Sequence, residues 1–368
     1  MAWRVPFVDF PSQFRAEEER MMATIRDVLV RGDLIMRSDL EQFEARLAAF
    51  VGAHHAVGVS NCTDAIRLVA HALGVGPGDS VATVAHTFVA TISPFVLLGA
   101  DPALVDVGGD HTMDPSALAA AIDERTRVIV PVHLNGRTCD MDPIVEIAES
   151  VGAVIVEDAA QALGARYKGR GAGTFGVAAT YSFYPAKLLG AVGDAGAVVT
   201  DDRSLADDVR LLRDHGRQGK TELARWGYNC RLDNLQAAVL NLRLTELPAQ
   251  IQRRRHLAAR YDEVFASSEE VQTLPGPDSS EDYYDVFQNY PVLVPRRDAL
   301  VEHLRKNGIE TLVSWPIPMH RQKGLQLPEF QLPMTDRISD EVVSLPLFPG
   351  LDDSQVDLVA ESVVRFYP

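Results

Sequence analysis

Between about His54 and Asp202, short runs rich in β-branched residues alternate with stretches whose apolar positions recur every three or four residues. That alternation predicts a mainly parallel sheet with helices packed on it. The strand candidates are HAVGVS (55–60), SVATVA (80–85), PALVDV (102–107), RVIVPVHL (127–134) and AVIVEDA (153–159). Several are almost unbroken apolar runs, as strands covered on both faces require. Helical spacing fills 63–73 and 141–152 between them. Further strand-like runs follow at 164–169, 178–185 and 196–201, then helical patterns at 204–216 and from Leu232 to about Phe265. Beyond residue 270 the chain turns Pro-rich and holds one more strand, YPVLVP (290–295), and the helix RDALVEHLRKNG (297–308). We therefore expect a large α/β domain over 1–245, with the N-terminal segment packed on it, and a small C-terminal α+β domain over 246–368. No internal repeat or low-complexity segment is present.

Composition narrows the class of partner. The 368 residues are 46% hydrophobic, enough for a sizeable core, and no apolar run is long enough to span a membrane. MAWRVPFVDFPSQFRAEEER has no apolar h-region, so no signal peptide is read. A net charge of −16 argues against nucleic acid or an anionic membrane as the main partner. Cys62, Cys139 and Cys230 are scattered without CxxC spacing; they read as half-buried thiols in a cytoplasmic protein with no metal site.

The chemistry gathers in three places. AVIVEDA meets Glu157-Asp158 at its carboxyl end, where ligand crevices of parallel sheets open. Lys187 follows a strand within the apolar loop Ser182-Phe183-Tyr184-Pro185-Ala186-Lys187-Leu188-Leu189-Gly190. Partial desolvation there favours the neutral amine that attacks an aldehyde. Pyridoxal phosphate needs such a lysine, together with an acid beside its pyridine nitrogen. Ser60-Asn61-Cys62-Thr63-Asp64 joins a strand to a helix, and the free N–H groups of such a start suit a phosphate.

With these residues in place, the chain resembles the DegT/DnrJ/EryC1/StrS sugar aminotransferase family over essentially its whole length. The likeness is carried by VPFVDF, VSNCTDAIRLVAHALGVGPGD, AHTFVAT, PVHLNGRTCDMDPI, VEDAAQALGARYKG, GTFGVAATYSFYPAKLLGAVGDAGAVVTDD, GYNCRLDNLQAA and SLPLFPGL, in that order. The resemblance implies the fold type I architecture of pyridoxal-phosphate enzymes. It also implies ping-pong transfer of an amino group from glutamate, through pyridoxamine phosphate, to C3 or C4 of a keto sugar on a nucleotide diphosphate. PVHLNGR and AHTFVAT lean toward relatives acting at C3. Lys187 would bind the cofactor as a Schiff base and then carry protons, and Asp158 would face the pyridine nitrogen. Gln161 would contact the phenolic-oxygen side, Phe88 would stack on the ring, and Cys62, Thr63 and Ser182 would hold the phosphate. Asn229 would reach that phosphate from a neighbouring subunit, making a homodimer the minimal unit. His320 and Tyr184 would meet the sugar.

Some positions depart from the family pattern. Cys62 replaces the usual glycine, which matters only if that backbone needs positive φ. Ala195 replaces a glycine in GDAGA, a packing change, and Leu188 stands where many members carry Asn. Other features are set aside. Gly219-Lys220-Thr221 lacks the first P-loop glycine, since Asp214 stands there. Gly74 to Gly78 reads as a helix-ending turn, Arg253-Arg254-Arg255 as a solvated helix face, and His133 as a structural strand-end group. Two other activities fit the sequence less well. A sugar dehydratase of the same lineage would replace the lysine or add cluster cysteines, and neither is seen. A non-catalytic sugar-binding regulator would have no use for the Lys187–Asp158 pair.

Overall fold

The computed structural model describes residues 3–277 and 279–367. Seven strands form the central sheet: β1 (His55–Val59), β2 (Ser80–Val84), β3 (Asp101–Val105), β4 (Thr126–Val130), β5 (Val154–Asp158), β6 (Ala178–Ser182) and β7 (Gly196–Thr200). Their order is β1-β7-β6-β5-β4-β2-β3. Every pair from β6 to β3 is parallel, whereas β7 runs antiparallel to both its neighbours. The reversal has a consequence for the site. It brings the first residue of β7, Gly196, opposite the last residues of β1 and β6, Val59 and Ser182.

Apolar side chains alternate across the sheet and bury on both faces. Ala56, Ala197 and Val199 join one core with Leu40, Phe43 and Leu47 of helix α2 (Ser38–Val51). Val57, Val59 and Val198 join another with helix α3 (Cys62–Ala72). Helix α1 (Phe10–Arg31) starts on an Asp9 cap and ends at Gly32, whose φ of 70° only glycine adopts freely. Helices α4 (Met141–Val151) and α5 (Arg203–Arg213) match the sequence expectation within about three residues. Gly74 ends α3 with φ 69°, as a helix-ending turn requires.

The long helical stretch breaks in two, α6 (Asn234–Leu244) and α7 (Leu247–Phe265), because Pro248 cannot continue a helix but fits the first turn of a new one. Helix α7 then runs from the large core, through Leu247 and Ile251, into a separate core through Leu257, Tyr261 and Phe265. That second core lies on an antiparallel sheet of β8 (Gln272–Thr273), β9 (Tyr290–Leu293) and β10 (Val342–Leu345), with helices α8 (Arg297–Lys306) and α9 (Asp353–Phe366). Val5 pairs with Ile309 and packs in the same core, so the chain starts on the C-terminal unit before α1 returns to the large one.

Two sequence expectations fail here. Arg254 and Arg255 are buried rather than solvated. Arg254 Nη1 donates to the carbonyls of Phe287, Gln288 and Leu347, and burial pushes its pKa down to about 10. Arg255 donates to the Asp285 carbonyl. A charge run on a helix does not reveal that carbonyls of a neighbouring segment will receive it. All three cysteines are likewise buried rather than half-buried.

Candidate active site

The carboxyl ends of β1, β2, β5 and β6 meet around a cavity of about 510 Å³. At its floor, Asn61 caps α3 with extended backbone, its side chain accepting the N–H of Asp64 at 2.8 Å. The amides of Cys62 and Thr63, both of which line the cavity, have no intrahelical acceptor at this end. They form an anion site reinforced by the helix dipole. Asp64, the acid nearest this site, is paired with Arg67 at 2.6 Å. Gly196 presses on the same turn. A Cβ there would lie 2.5 Å from the Asn61 carbonyl carbon and 2.6 Å from the Cys62 nitrogen. Cys62 has helical backbone, so its side chain brings no strain; burial and the Asp158 charge raise the thiol pKa and keep it protonated.

Asp158 ends β5 almost wholly buried. Its Oδ2 accepts the Thr91 hydroxyl at 2.7 Å and its Oδ1 accepts the Ala160 N–H at 3.1 Å. Thr91 in turn meets the Thr87 hydroxyl at 2.8 Å. Two donors on a buried carboxylate fix its orientation. Lys187 lies across the same cavity, half-buried, in a loop folded back on itself. Ala191 N–H returns to the Phe183 carbonyl at 2.7 Å, and Lys187 N–H to that of Tyr184 at 2.8 Å. The turn closes only because Gly190 has no side chain: a Cβ would sit 2.3 Å from the Pro185 carbonyl oxygen. Burial lowers the Lys187 pKa, while the charge of Asp158 opposes that shift. The amine is thereby biased toward the neutral nucleophile.

Behind Asp158, Glu157 points to the other side of the strand and is fully buried. Its carboxylate accepts the amides of Gly173, Phe175 and Gly176 at 2.6–2.7 Å and the His133 Nε2–H at 2.8 Å. His133 Nδ1 accepts the Cys139 N–H at 3.1 Å, which leaves the ring proton on Nε2, facing Glu157. On the cavity rim, Gln161 Oε1 accepts the Asn135 N–H at 2.9 Å, and its Nε2 stays available to a ligand. Phe88, 59% exposed, presents its ring at the mouth. Trp315 closes another side, its ring held edge-on to His86 at 5.1 Å.

The profile of the DegT/DnrJ/EryC1/StrS aminotransferase family matches residues 15–364. The chain belongs to that family. It is 41% identical to the dTDP-3-amino-3,4,6-trideoxy-alpha-D-glucose transaminase of Streptomyces venezuelae, over 98% of this chain and 95% of that one. It is 39% identical to a protein of Geobacillus stearothermophilus named pleiotropic regulatory protein, over 99% and 98% of the two chains. The crystal structure of S. venezuelae DesV in complex with a ketimine intermediate superposes with a TM-score of 0.95 at 40% identity, covering 99% of this chain and 98% of that one.

Of the residues that the family resemblance singled out, Cys62, Thr63, Phe88, Asp158, Gln161, Ser182, Tyr184 and Lys187 all line the one cavity. Two do not. Asn229 is exposed on the segment after the hairpin Arg217–Gln218/Glu222–Leu223 and bridges to Asp214. His320 turns its imidazole away from the cavity, onto Asp336 at 2.9 Å, so a sugar contact from it is not met within this chain. The sequence reading also missed Thr87, Thr91, Asp194 and Trp315, which line the site, as does Asn61 of the phosphate turn. The spacing of Thr87 and Thr91, four residues apart in AHTFVAT, was an available signal; for Trp315, which takes φ 48° in a loop, none was. Ala195 is buried in the large core, consistent with a packing role. Among the described residues no group of His, Cys, Asp and Glu could hold a metal ion, and no helix is long and apolar enough to cross a membrane.

Proposed function

We propose that this chain is a pyridoxal-phosphate-dependent aminotransferase that moves an amino group from glutamate to C3 of a keto sugar carried on a nucleoside diphosphate. The observation that carries the reading is the convergence of Lys187, Asp158 and the bare amides of Cys62 and Thr63 on one cavity. These groups fit the cofactor's aldehyde, ring nitrogen and phosphate in turn, and Gly196, having no Cβ, lets its strand pack directly on the turn that carries the amides. When bound, the cofactor supplies an electrophilic carbon and an electron-withdrawing ring, and alternates between pyridoxal and pyridoxamine forms.

The chain's own groups do the rest. Lys187 Nζ, disposed to be neutral, would take a proton from the donor's α-carbon and carry it as the acid for the following step. Asp158 holds positive charge at the ring nitrogen, and Thr91 keeps its carboxylate aimed. Phe88 would hold the ring by stacking, and Gln161 Nε2 would offer a donor to its oxygen. Ser182 joins the phosphate site, and Tyr184 stands where the sugar enters. The choice of C3 follows the 3-amino product for which the Streptomyces transaminase is named. A regulatory name among the relatives does not alter the reading, because a binding module has no need of a lysine with lowered pKa facing a carboxylate.

The active unit is a homodimer in which Asn229 reaches the partner's phosphate. Support comes from the exposed Asn229 and from Leu29, Val30, Leu34, Ile35 and Trp226, large apolar side chains left uncovered on one chain. Mixing Lys187→Ala with Asn229→Ala subunits then restores activity that neither homodimer has. Three free cysteines suit a reducing cytoplasm. The reading is tested by supplying 3-keto nucleotide sugars and glutamate and weighing the products by mass spectrometry. An amino sugar, with borohydride fixing the cofactor to Lys187, supports it. No visible cofactor band and no label at Lys187 would sink it, and so would amination of no keto sugar.

A further inference from the structure

Two consecutive residues of the C-terminal unit hold opposite edges of the cavity without lining it. Gln288, buried, accepts the Leu188 N–H at its side-chain carbonyl, 2.8 Å away. Its side-chain amide donates to the Ala186 carbonyl at 2.9 Å. Those groups belong to the two peptide planes that flank the Lys187 Cα. Because peptides are planar, holding both planes limits φ and ψ at Lys187 and so sets the direction in which its side chain leaves the backbone. The neighbouring Asn289 donates to Asn135 Oδ1 at 3.2 Å, and Asn135 N–H holds Gln161 Oε1 at 2.9 Å.

The clamp is itself immobilised. The Gln288 carbonyl accepts Arg254 Nη1 at 3.2 Å, and the same nitrogen holds Phe287 and Leu347. Phe287 takes a left-handed φ of 52°. The segment approaches the loop at Gly136 so closely that a Cβ there would lie 2.5 Å from the Phe287 nitrogen and 2.7 Å from that of Gln288. So much constraint on a segment that does not line the cavity calls for a purpose, and the lysine loop is what it grips.

We propose that Gln288 is a positioning residue for Lys187: its side-chain amide transmits the rigidity of the C-terminal unit to the aim of the lysine amine. This rests on Lys187 being the lysine that binds the cofactor. The test compares wild-type holoenzyme with Gln288→Met, which keeps the length and loses both bonds, and Gln288→Glu, which keeps the acceptor and loses the donor. Five quantities are read: the pH midpoint of the visible band of the Lys187-bound cofactor, kcat and KM for the glutamate half-reaction, hydrogen exchange at the Leu188 amide, and Tm.

For Gln288→Met we expect kcat to fall about 10- to 100-fold with KM within about twofold, as sub-ångström misaim of a reacting group produces. The band midpoint moves, by ~0.5 pH unit or more, because the amine's surroundings change. Leu188 exchanges faster. Gln288→Glu falls between the two, and decides the matter alone if the Met variant does not fold. An unmoved midpoint and kcat, even with a lower Tm, overturn the proposal and leave Gln288 a loop anchor only. Borohydride labelling of wild-type enzyme separates the failures. If no label reaches Lys187, its assignment is wrong; label at Lys187 with an unmoved midpoint defeats only the role of Gln288.

Discussion

Gly196→Ala is a one-carbon change that probes the phosphate cradle directly. The new Cβ would lie 2.5 Å from the Asn61 carbonyl carbon, 2.6 Å from the Cys62 nitrogen and 2.8 Å from the Asn61 oxygen, roughly 0.6–0.9 Å inside the 3.4 Å at which ordinary contact begins. All three atoms are backbone, so no side chain can swing aside. Strand β7 cannot retreat either, because Gly196 is paired with Val59 on one side and Ser182 on the other. The start of α3 must move, and with it the Cys62 and Thr63 amides. Overpacking of this kind costs about 1–3 kcal/mol. Borne by the phosphate site, that weakens cofactor binding about 5- to 150-fold. The assay is a titration of apo-protein with pyridoxal phosphate, followed by its visible band. Gly109→Ala serves as the control, since nothing lies within 4 Å of a Cβ there. A folded Gly196→Ala protein that binds the cofactor within twofold of wild type refutes the cradle, even if its melting temperature drops.

Other outcomes follow from the same geometry. Burial lowers the Lys187 pKa, so between the lowered value and the ordinary 10.5 the unfolded chain holds more protons and this group's contribution to apo-protein stability rises with pH. Lys187→Met should therefore stabilise the apo-protein more at pH 7 than near pH 10.5 in urea unfolding; equal gains at both would contradict the shift. Thr91→Val removes the donor from the buried Asp158 carboxylate and should cost about 1.5–3 kcal/mol of stability. Wild-type urea midpoints with and without cofactor would disprove it. Glu157→Gln turns an NH₂ toward donors that now meet a carboxylate, and should destabilise by about 2–5 kcal/mol without abolishing cofactor binding in the protein that folds. Loss of the visible band from a fully folded Glu157→Gln protein would point instead to a direct role at the site.

The local sequence was enough to locate most of the sheet, because a strand covered on both faces must be apolar along its length. The runs at 55–60, 80–85, 153–159 and 178–185 became strands within a few residues of those limits. The chemistry was legible for a related reason: Asp158 and Lys187 are polar residues at the ends of apolar strands, where burial makes them costly unless used. Direction and contact were not legible. Nothing in GAVVTD distinguishes an antiparallel strand from a parallel one, yet only the antiparallel run of β7 sets Gly196 against the phosphate turn. Arg254 looks like its solvated neighbour until Phe287, Gln288 and Leu347 surround it. Nothing in WPIPMH indicates that His320 meets Asp336. Periodicity records how deeply each residue is buried, and that much is local. Which partner a buried polar group meets is decided by segments 16 to 93 residues away in these cases, and only the folded chain brings them together.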